Sequence, residues 1–263
     1  MRRLLTLTIL FLFFLQSFGQ TDTSRTEIII IGTIHSGNKY LNDKTLYKLL
    51  KSLNPDIILD EYSETYKPVF GLQTATFLKI AKPGIEQSAL QRIARRHKKI
   101  VILPYDTAFA RKQYIKEFIK FESLLYDSLS TIKKEHLDSM KYGAYTAKRD
   151  NYYELFLTQD LQKINEVKVY TLGGELYKAD KELILPLIKK YVKDSSIARK
   201  FEANLKFWND RNNFMVRQIE KISTLNPGKR IVVLTGLNHK YFLTEKLTSN
   251  YGNNIKLTEI SDM

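Results

Sequence analysis

Two runs of consecutive aliphatic residues, one near each end of the chain, constrain this sequence more than any other feature. Glu27 to Ile34 reads EIIIIGTI, and Arg230 to Thr235 reads RIVVLT. Neither alternates apolar with polar, so each fits a strand covered on both faces. Such strands belong to parallel sheets, whose connections are helical crossovers. The intervening sequence supplies them. Leu41 to Leu53 has helical spacing at Leu46, Leu49, Leu50 and Leu53, Pro55 ends it, and Ile57 to Leu59 is a second strand. Ile85 to His97 reads as a basic amphipathic helix and Ile100 to Leu103 as a third strand. Beyond the late strand, Tyr241 to Leu247 is helical and Ile255 to Ile260 is a final strand. From Thr107 to Leu225 no strand-like run occurs. Spacings of three and four predict several helices there, with breaks near Gly143, Gly173-Gly174 and Pro186. The expected fold is α/β: a mostly parallel central sheet built from both ends of the chain, with a large helical insertion at 107–225.

The first residues are of another kind. Arg2 and Arg3 precede an apolar run from Leu4 to Leu15, and Ser17 and Gly19 stand at −3 and −1 of a cut before Gln20. This is the pattern of a secretory signal peptide, and the run is short for a membrane span. The expectation is a signal peptide at 1–19 and one exported domain at 20–263, periplasmic or secreted, with no transmembrane segment after signal removal. The chain has no Cys, which excludes disulfides, thiolate zinc sites and a cysteine nucleophile. A formal charge of +14 favours anionic partners in general. The basic residues are nevertheless scattered, without an aromatic-interleaved stripe, so no specific nucleic-acid binding is expected. The cluster Arg92, Arg95, Arg96, Lys98 and Lys99 reads as a solvated helix face.

Ligand sites of open α/β sheets lie beyond the carboxyl ends of the strands. Here those ends run into Gly32-Thr33-Ile34-His35, Asp60-Glu61, Pro104-Tyr105-Asp106 and Gly236-Leu237-Asn238-His239. The word Gly-x-x-His occurs twice, each time at a strand end. Parallel neighbours bring His35, Glu61 and His239 to one edge. Two histidines and a carboxylate suit Zn, Mn, Fe or Co with positions left open for water or substrate. Asp60 and Glu61 point to opposite faces, so one of them faces the site. Asp106 either supports the site or caps the next helix. His97 in ARRHKK and His136 in KKEHLDS read as solvated helix residues. Ser36 and Ser63 lie near the site, but no nucleophile elbow, phosphate loop or His-Glu-x-x-His helix is present.

GTIH at 32–35, PDIILDEYS at 55–63, DRNNFM at 210–215 and GLNH at 236–239 resemble the TraB/GumN/Tiki family. That family lies within a wider superfamily holding erythromycin esterases and ChaN-type haem-binding proteins. The tail EKLTSNYGNNIKLTEI resembles its closing helix, turn and strand. The resemblance implies a metal-dependent, protease-like hydrolase, as in the Tiki branch, which with the signal peptide makes an exported hydrolase of a peptide or ester bond. It places His35, His239 and Glu61 in the role of metal ligands (Mn, Co or Zn) and catalytic groups, and adds Arg211. The substrate would be a peptide or small molecule. Asp210, Asp60 and Asn238 depart from the family's usual residues.

The residues leave several readings open. Glu61 would be a metal ligand or the base that activates water. A metal-free site would use one histidine as base with Glu61 orienting it. Arg211 would clamp an anionic group or pair with an internal acid, with Phe207, Trp208 and Phe214 as core contacts around it. Asn212 and Asn213 would donate to substrate or lie exposed. The alternative function is a haem- or iron-binding protein using the same cleft and a histidine as axial ligand. A third reading is an inactive scaffold.

Overall fold

The computed structural model describes residues 25–35, 37–61, 84–107, 129, 137–251 and 255–262. The expected signal peptide, Ser36, Ser63, His136 and most of 108–136 lie outside them. Five strands, β1 (Thr26–Thr33), β2 (Ile57–Asp60), β3 (Val101–Pro104), β4 (Arg230–Gly236) and β5 (Ile255–Thr258), form one sheet. Its order is β3-β2-β4-β1-β5, and every pairing is parallel. The sheet is therefore contributed by both ends of the chain, as the two aliphatic runs require.

Both of its faces are covered. Ile29, Ile31, Ile58, Val232 and Leu234 face one layer, which holds α1 (Asp43–Leu53), α2 (Ile85–Arg96) and much of the helical region. Ile28, Ile30, Leu59, Ile231 and Val233 face the other. That second layer is the later half of α7 (Ser195–Leu225) and α8 (Leu237–Tyr251). The period of two along each strand sorts its side chains between the layers, and burying both sets is why the strands are aliphatic throughout. Asn42 caps α1 through a reciprocal capping box with Thr45.

Between α2 and α7 the described helices are α3 (Leu137–Thr158), α4 (Leu161–Ile164), α5 (Val167–Ala179) and α6 (Leu185–Tyr191), with a π-helical turn at Asp180–Ile184. The expected glycine breaks are not breaks. Gly143 lies inside α3, and Gly173 and Gly174 lie inside α5. The latter pair serves close packing: a Cβ at Gly173 would meet the Tyr152 hydroxyl at 2.6 Å, and one at Gly174 would meet the Tyr241 ring at 2.7 Å. Pro186 is no break either: α5, the π-helical turn and α6 follow one another without interruption from 167 to 191, with the wider π turn just before the proline. Phe207, Trp208 and Phe214 are only partly buried, and the core residues of α7 are instead Phe201, Met215, Val216 and Ile219.

The last helix also begins earlier than expected. It starts at Leu237, because Leu237, Leu243 and Leu247 all turn inward from the strand's end. His239 consequently sits in the first turn of α8 rather than in a loop. No helix among the described residues is long and apolar enough to cross a membrane.

Candidate active site

Register fixes the edge on which the candidate residues meet. Thr33 of β1 pairs with Gly236 of β4, and Asp60 of β2 pairs with Leu234. His35, Glu61 and His239 follow these three adjacent strands and converge, as their strand-end positions suggest. Gly236 marks the centre. A Cβ built there would lie 3.3 Å from His35 Nε2, 3.6 Å from Glu61 Oε2 and 3.5 Å from His239 Cδ2. Gly236 and Gly32 are both ordinary strand residues with no positive φ. What they provide is proximity, since a Cβ at Gly32 would stand 2.5 Å from Leu237 Cδ1.

The two histidines have opposite surroundings. His35 is 44% exposed in its side chain, and its Nδ1 lies 2.9 Å from Oε1 of Glu86, which is 3% exposed. A carboxylate only accepts, so Nδ1 carries the proton and Nε2 turns its lone pair toward the point beside Gly236. Burial raises the Glu86 carboxyl, but the hydrogen bonds and charge of His35 and the Thr33 hydroxyl (2.6 Å) outweigh it and hold the group below its usual range. Glu86 also stands in the first turn of α2, where the helix dipole favours an anion.

His239 is 2% exposed and lies beneath Trp208, with ring centroids 4.5 Å apart. Its Nε2 accepts from Arg211 Nη1 at 3.1 Å, and its Nδ1 donates to Asn212 Oδ1 at 2.5 Å. Burial lowers its pKa to about 3, with Arg211 and His35 acting in the same sense against Glu61. It is a neutral imidazole at pH 7.

Arg211 ties the edge together from α7. Its Nε and Nη2 donate to Asp106 Oδ2 at 3.0 and 2.7 Å, and Nη2 also donates to Glu61 Oε1. Asp210, its neighbour, pairs with Lys206 instead. Burial raises the Glu61 carboxyl, yet His239, Arg211, His35 and the Gly236 amide (2.7 Å) together bring it down to about 2. With His239 neutral, the guanidinium is the charge that acts there near pH 7. Glu61 is thus a fixed anion, too weak a base to take a proton from water. Asp106 is shifted upward, burial outweighing Arg211. It pairs with Arg211, and the helix it was expected to cap lies outside the described residues. Asp60 is buried at the end of β2.

Other expected residues lie apart. His97 ends α2 and meets the Tyr47 hydroxyl at 3.1 Å, and Asn213 bonds back to Asn209 in its own helix. Asn212 is 1% exposed and serves His239. Glu86 was not singled out from the sequence. One signal pointed to it: the first turn of a crossover helix lies at the same sheet edge as the preceding strand's end.

A second support lies behind the site. Beyond the end of β5, the Asn165 side chain accepts from Gly32 N at 2.7 Å and donates to Gly32 O at 2.8 Å, completing the edge of β1. Fully buried Lys240, next to His239, donates to Asn165 and to Glu259 at 2.8 Å.

The donor set does not fit a resident divalent cation as arranged. His239 presents carbon to the shared point, while its Nε2 faces a guanidinium and its Nδ1 faces an amide. The positive charge of Arg211 already neutralises Glu61. No group of three His, Asp or Glu among the described residues is arranged around a metal position. Haem fits no better at His239, whose Nε2 lone pair is taken by Arg211.

The burial of His239 and Glu61 sets an expected pH response. The folded protein keeps His239 neutral down to about pH 3, against 6.5 when exposed, and keeps Glu61 charged down to about 2, against 4.5. The unfolded chain therefore binds more protons over both intervals, and stability falls as pH is lowered. The loss begins below pH 6.5 and steepens below 4.5. A tenfold difference in proton affinity between the folded and unfolded chain is worth about 1.4 kcal/mol, so His239 alone removes about that much by pH 5.5. Thermal unfolding at pH 7.5, 5.5 and 4 measures it, and a flat midpoint between the first two would contradict a buried neutral His239.

No family model matches this chain. No curated protein matches it either. Among solved structures, an erythromycin esterase mutant in its open conformation is similar at 12% identity, over 90% of this chain and 70% of that one, with a TM-score of 0.37. A likeness at that level carries nothing about chemistry, which rests on the geometry above.

Proposed function

We propose that this chain is an exported hydrolase of an ester or amide bond, of the erythromycin-esterase-like superfamily, in which His35 activates water. The observation that carries this reading is the Glu86–His35 pair aimed at the point that Glu61 also faces. A water there donates one hydrogen to His35 Nε2 and the other to Glu61 Oε2. Its remaining lone pairs then point outward, toward a substrate carbonyl. As the oxygen attacks, His35 takes the proton, and Glu86 steadies the resulting imidazolium. Glu61 positions the water, and Arg211, through its bonds to Glu61, Asp106 and His239, positions Glu61. Arg211 is turned inward and is not a clamp on substrate.

Gly236 supplies the test. Its amide bond to Glu61 survives substitution, but a Cβ would occupy the space assigned to the water. Gly236→Ala is expected to lower hydrolysis of a p-nitrophenyl ester about 10²-fold or more with little change in unfolding temperature. The wild-type protein should keep its activity after dialysis against EDTA. Activity lost to EDTA and restored by Zn, Mn or Co would favour the metal-assisted reading of the same residues, and unimpaired Gly236→Ala would remove the water from this position.

A further inference from the structure

β5 pairs with β1 only from Thr26 to Ile29, and after Thr258 the chain turns into a 3₁₀-helix at Ile260–Asp262. The strand partner is therefore missing where β1 reaches Gly32. Gly32 is buried there, and its N–H and C=O meet the Asn165 side chain in place of a strand. That amide offers one acceptor and one donor to a single residue, as a neighbouring strand would. Its Nδ2 also donates to Leu161 O at 2.8 Å, and its Oδ1 accepts a second bond, from Lys240.

Lys240 is an unfavourable residue for mere packing. It is fully buried, where an apolar side chain of similar length would avoid the loss of hydration. Its three N–H groups nevertheless meet three acceptors: Asn165 Oδ1 at 3.1 Å, Asn165 O at 3.2 Å and Glu259 Oε2 at 2.8 Å. The ammonium also lies 4.7 Å from the centre of the Tyr170 ring, whose hydroxyl donates to Glu259 Oε1 at 3.0 Å. One cation thus joins α8, which carries His239, to the end of β1, which leads to His35, and to Glu259 just beyond β5.

We propose that Asn165, locked by Lys240, is the positioning residue for His35 and sets the contact of its ring with Glu86; the consequence for turnover rests on the hydrolase reading above. Thr33, next to Gly32, donates to Glu86 Oε1, the oxygen that His35 Nδ1 also meets. Glu86 belongs to another element, α2, so a shift of Gly32 carries Thr33 and His35 away from it together. The His239 ring is held independently, by Arg211 and Asn212 of α7.

The chain has four histidines, so their ring signals can be followed separately by NMR in the full-length protein without substrate. His35 is assigned by its loss in His35→Ala. Asn165→Leu removes both bonds to Gly32. Lys240→Met combined with Glu259→Gln removes both charges at once and strands neither, and it carries the test should Asn165→Leu not fold. In each variant His35 should bind its proton about threefold or more weakly, as its contact with Glu86 loosens. The kcat for a p-nitrophenyl ester should fall about tenfold or more, with KM within about twofold of the wild type. His239 should remain without a titration between pH 5 and 9. An unmoved His35 titration overturns the proposal, and so does a His239 that begins to titrate, which would mean a general loosening of the edge. An effect in Asn165→Leu alone removes Lys240 from the device. His35-dependent ester cleavage with an unmoved titration leaves the hydrolase and removes the positioning role. A shifted titration in a protein that cleaves no ester leaves the positioning of His35 and removes the hydrolase.

Discussion

His35→Ala is expected to lower turnover of an ester substrate about 10²–10⁴-fold while costing only about 1–2 kcal/mol of stability, because buried Glu86 keeps its bond from Thr33. The separation of the two effects follows from exposure. The His35 side chain is 44% exposed and its ring fills no core position, so its loss removes a base without opening a cavity. Glu86→Gln keeps the shape and the contact with Thr33 but removes the charge that steadies an imidazolium. Its kcat should fall about 10²-fold or more, and its pH–rate profile should shift its acid limb downward, since His35 would then lose its proton more readily. Steady-state rates from pH 5 to 9, with circular dichroism melts on the same samples, make the measurement. Turnover intact in His35→Ala would end the proposed mechanism, and an unmoved profile in Glu86→Gln would reduce Glu86 to a structural contact.

The largest expected effect on stability belongs to Arg211. Its guanidinium faces Glu61 and Asp106, whose side chains are 7% and 2% exposed, and it occupies the lone pair of His239. Arg211→Met retains most of the volume and strands two buried carboxylates. Breaking a buried pair in this way costs about 3–5 kcal/mol. Arg211→Lys should recover little of that, because a single ammonium cannot span three partners that a planar fork reaches together. Denaturant unfolding measures the loss, and a value under about 1 kcal/mol for Arg211→Met would show that the acids find protons or water instead. Activity should fall in both variants, as Glu61 loses the group that holds it.

The position of the site was legible in the sequence for a definite reason. Residues that follow parallel strands must emerge on one edge, so GTIH, LDE and GLNH were bound to meet once the strands were recognised as neighbours. Arg211 was found only through resemblance, and its partners were not readable: Asp106 and Glu61 are 105 and 150 positions away in the chain. The glycines at 173 and 174 misled, since helix breaking is a local property and close helix packing is not. Asn165 and Lys240 carried no pattern, because their work is to complete the edge of a strand that the sequence cannot show to be incomplete.

Local chemistry thus determined the strands, their two-sided burial, the helical crossovers and the edge at which His35, Glu61 and His239 gather. The aliphatic runs and their capping residues act over a few positions, and any chain carrying them meets the same constraint. What the tertiary structure alone decided is the role of each group there. The two Gly-x-x-His words are equivalent as sequence, yet one histidine stays at the surface against a buried glutamate. The other enters the first turn of a helix beneath a tryptophan, with its ring nitrogens taken by an arginine and an asparagine. Whether an imidazole can take a proton depends on its solvent and its partners. Those are assembled from α2 and α7, far from either histidine in the chain.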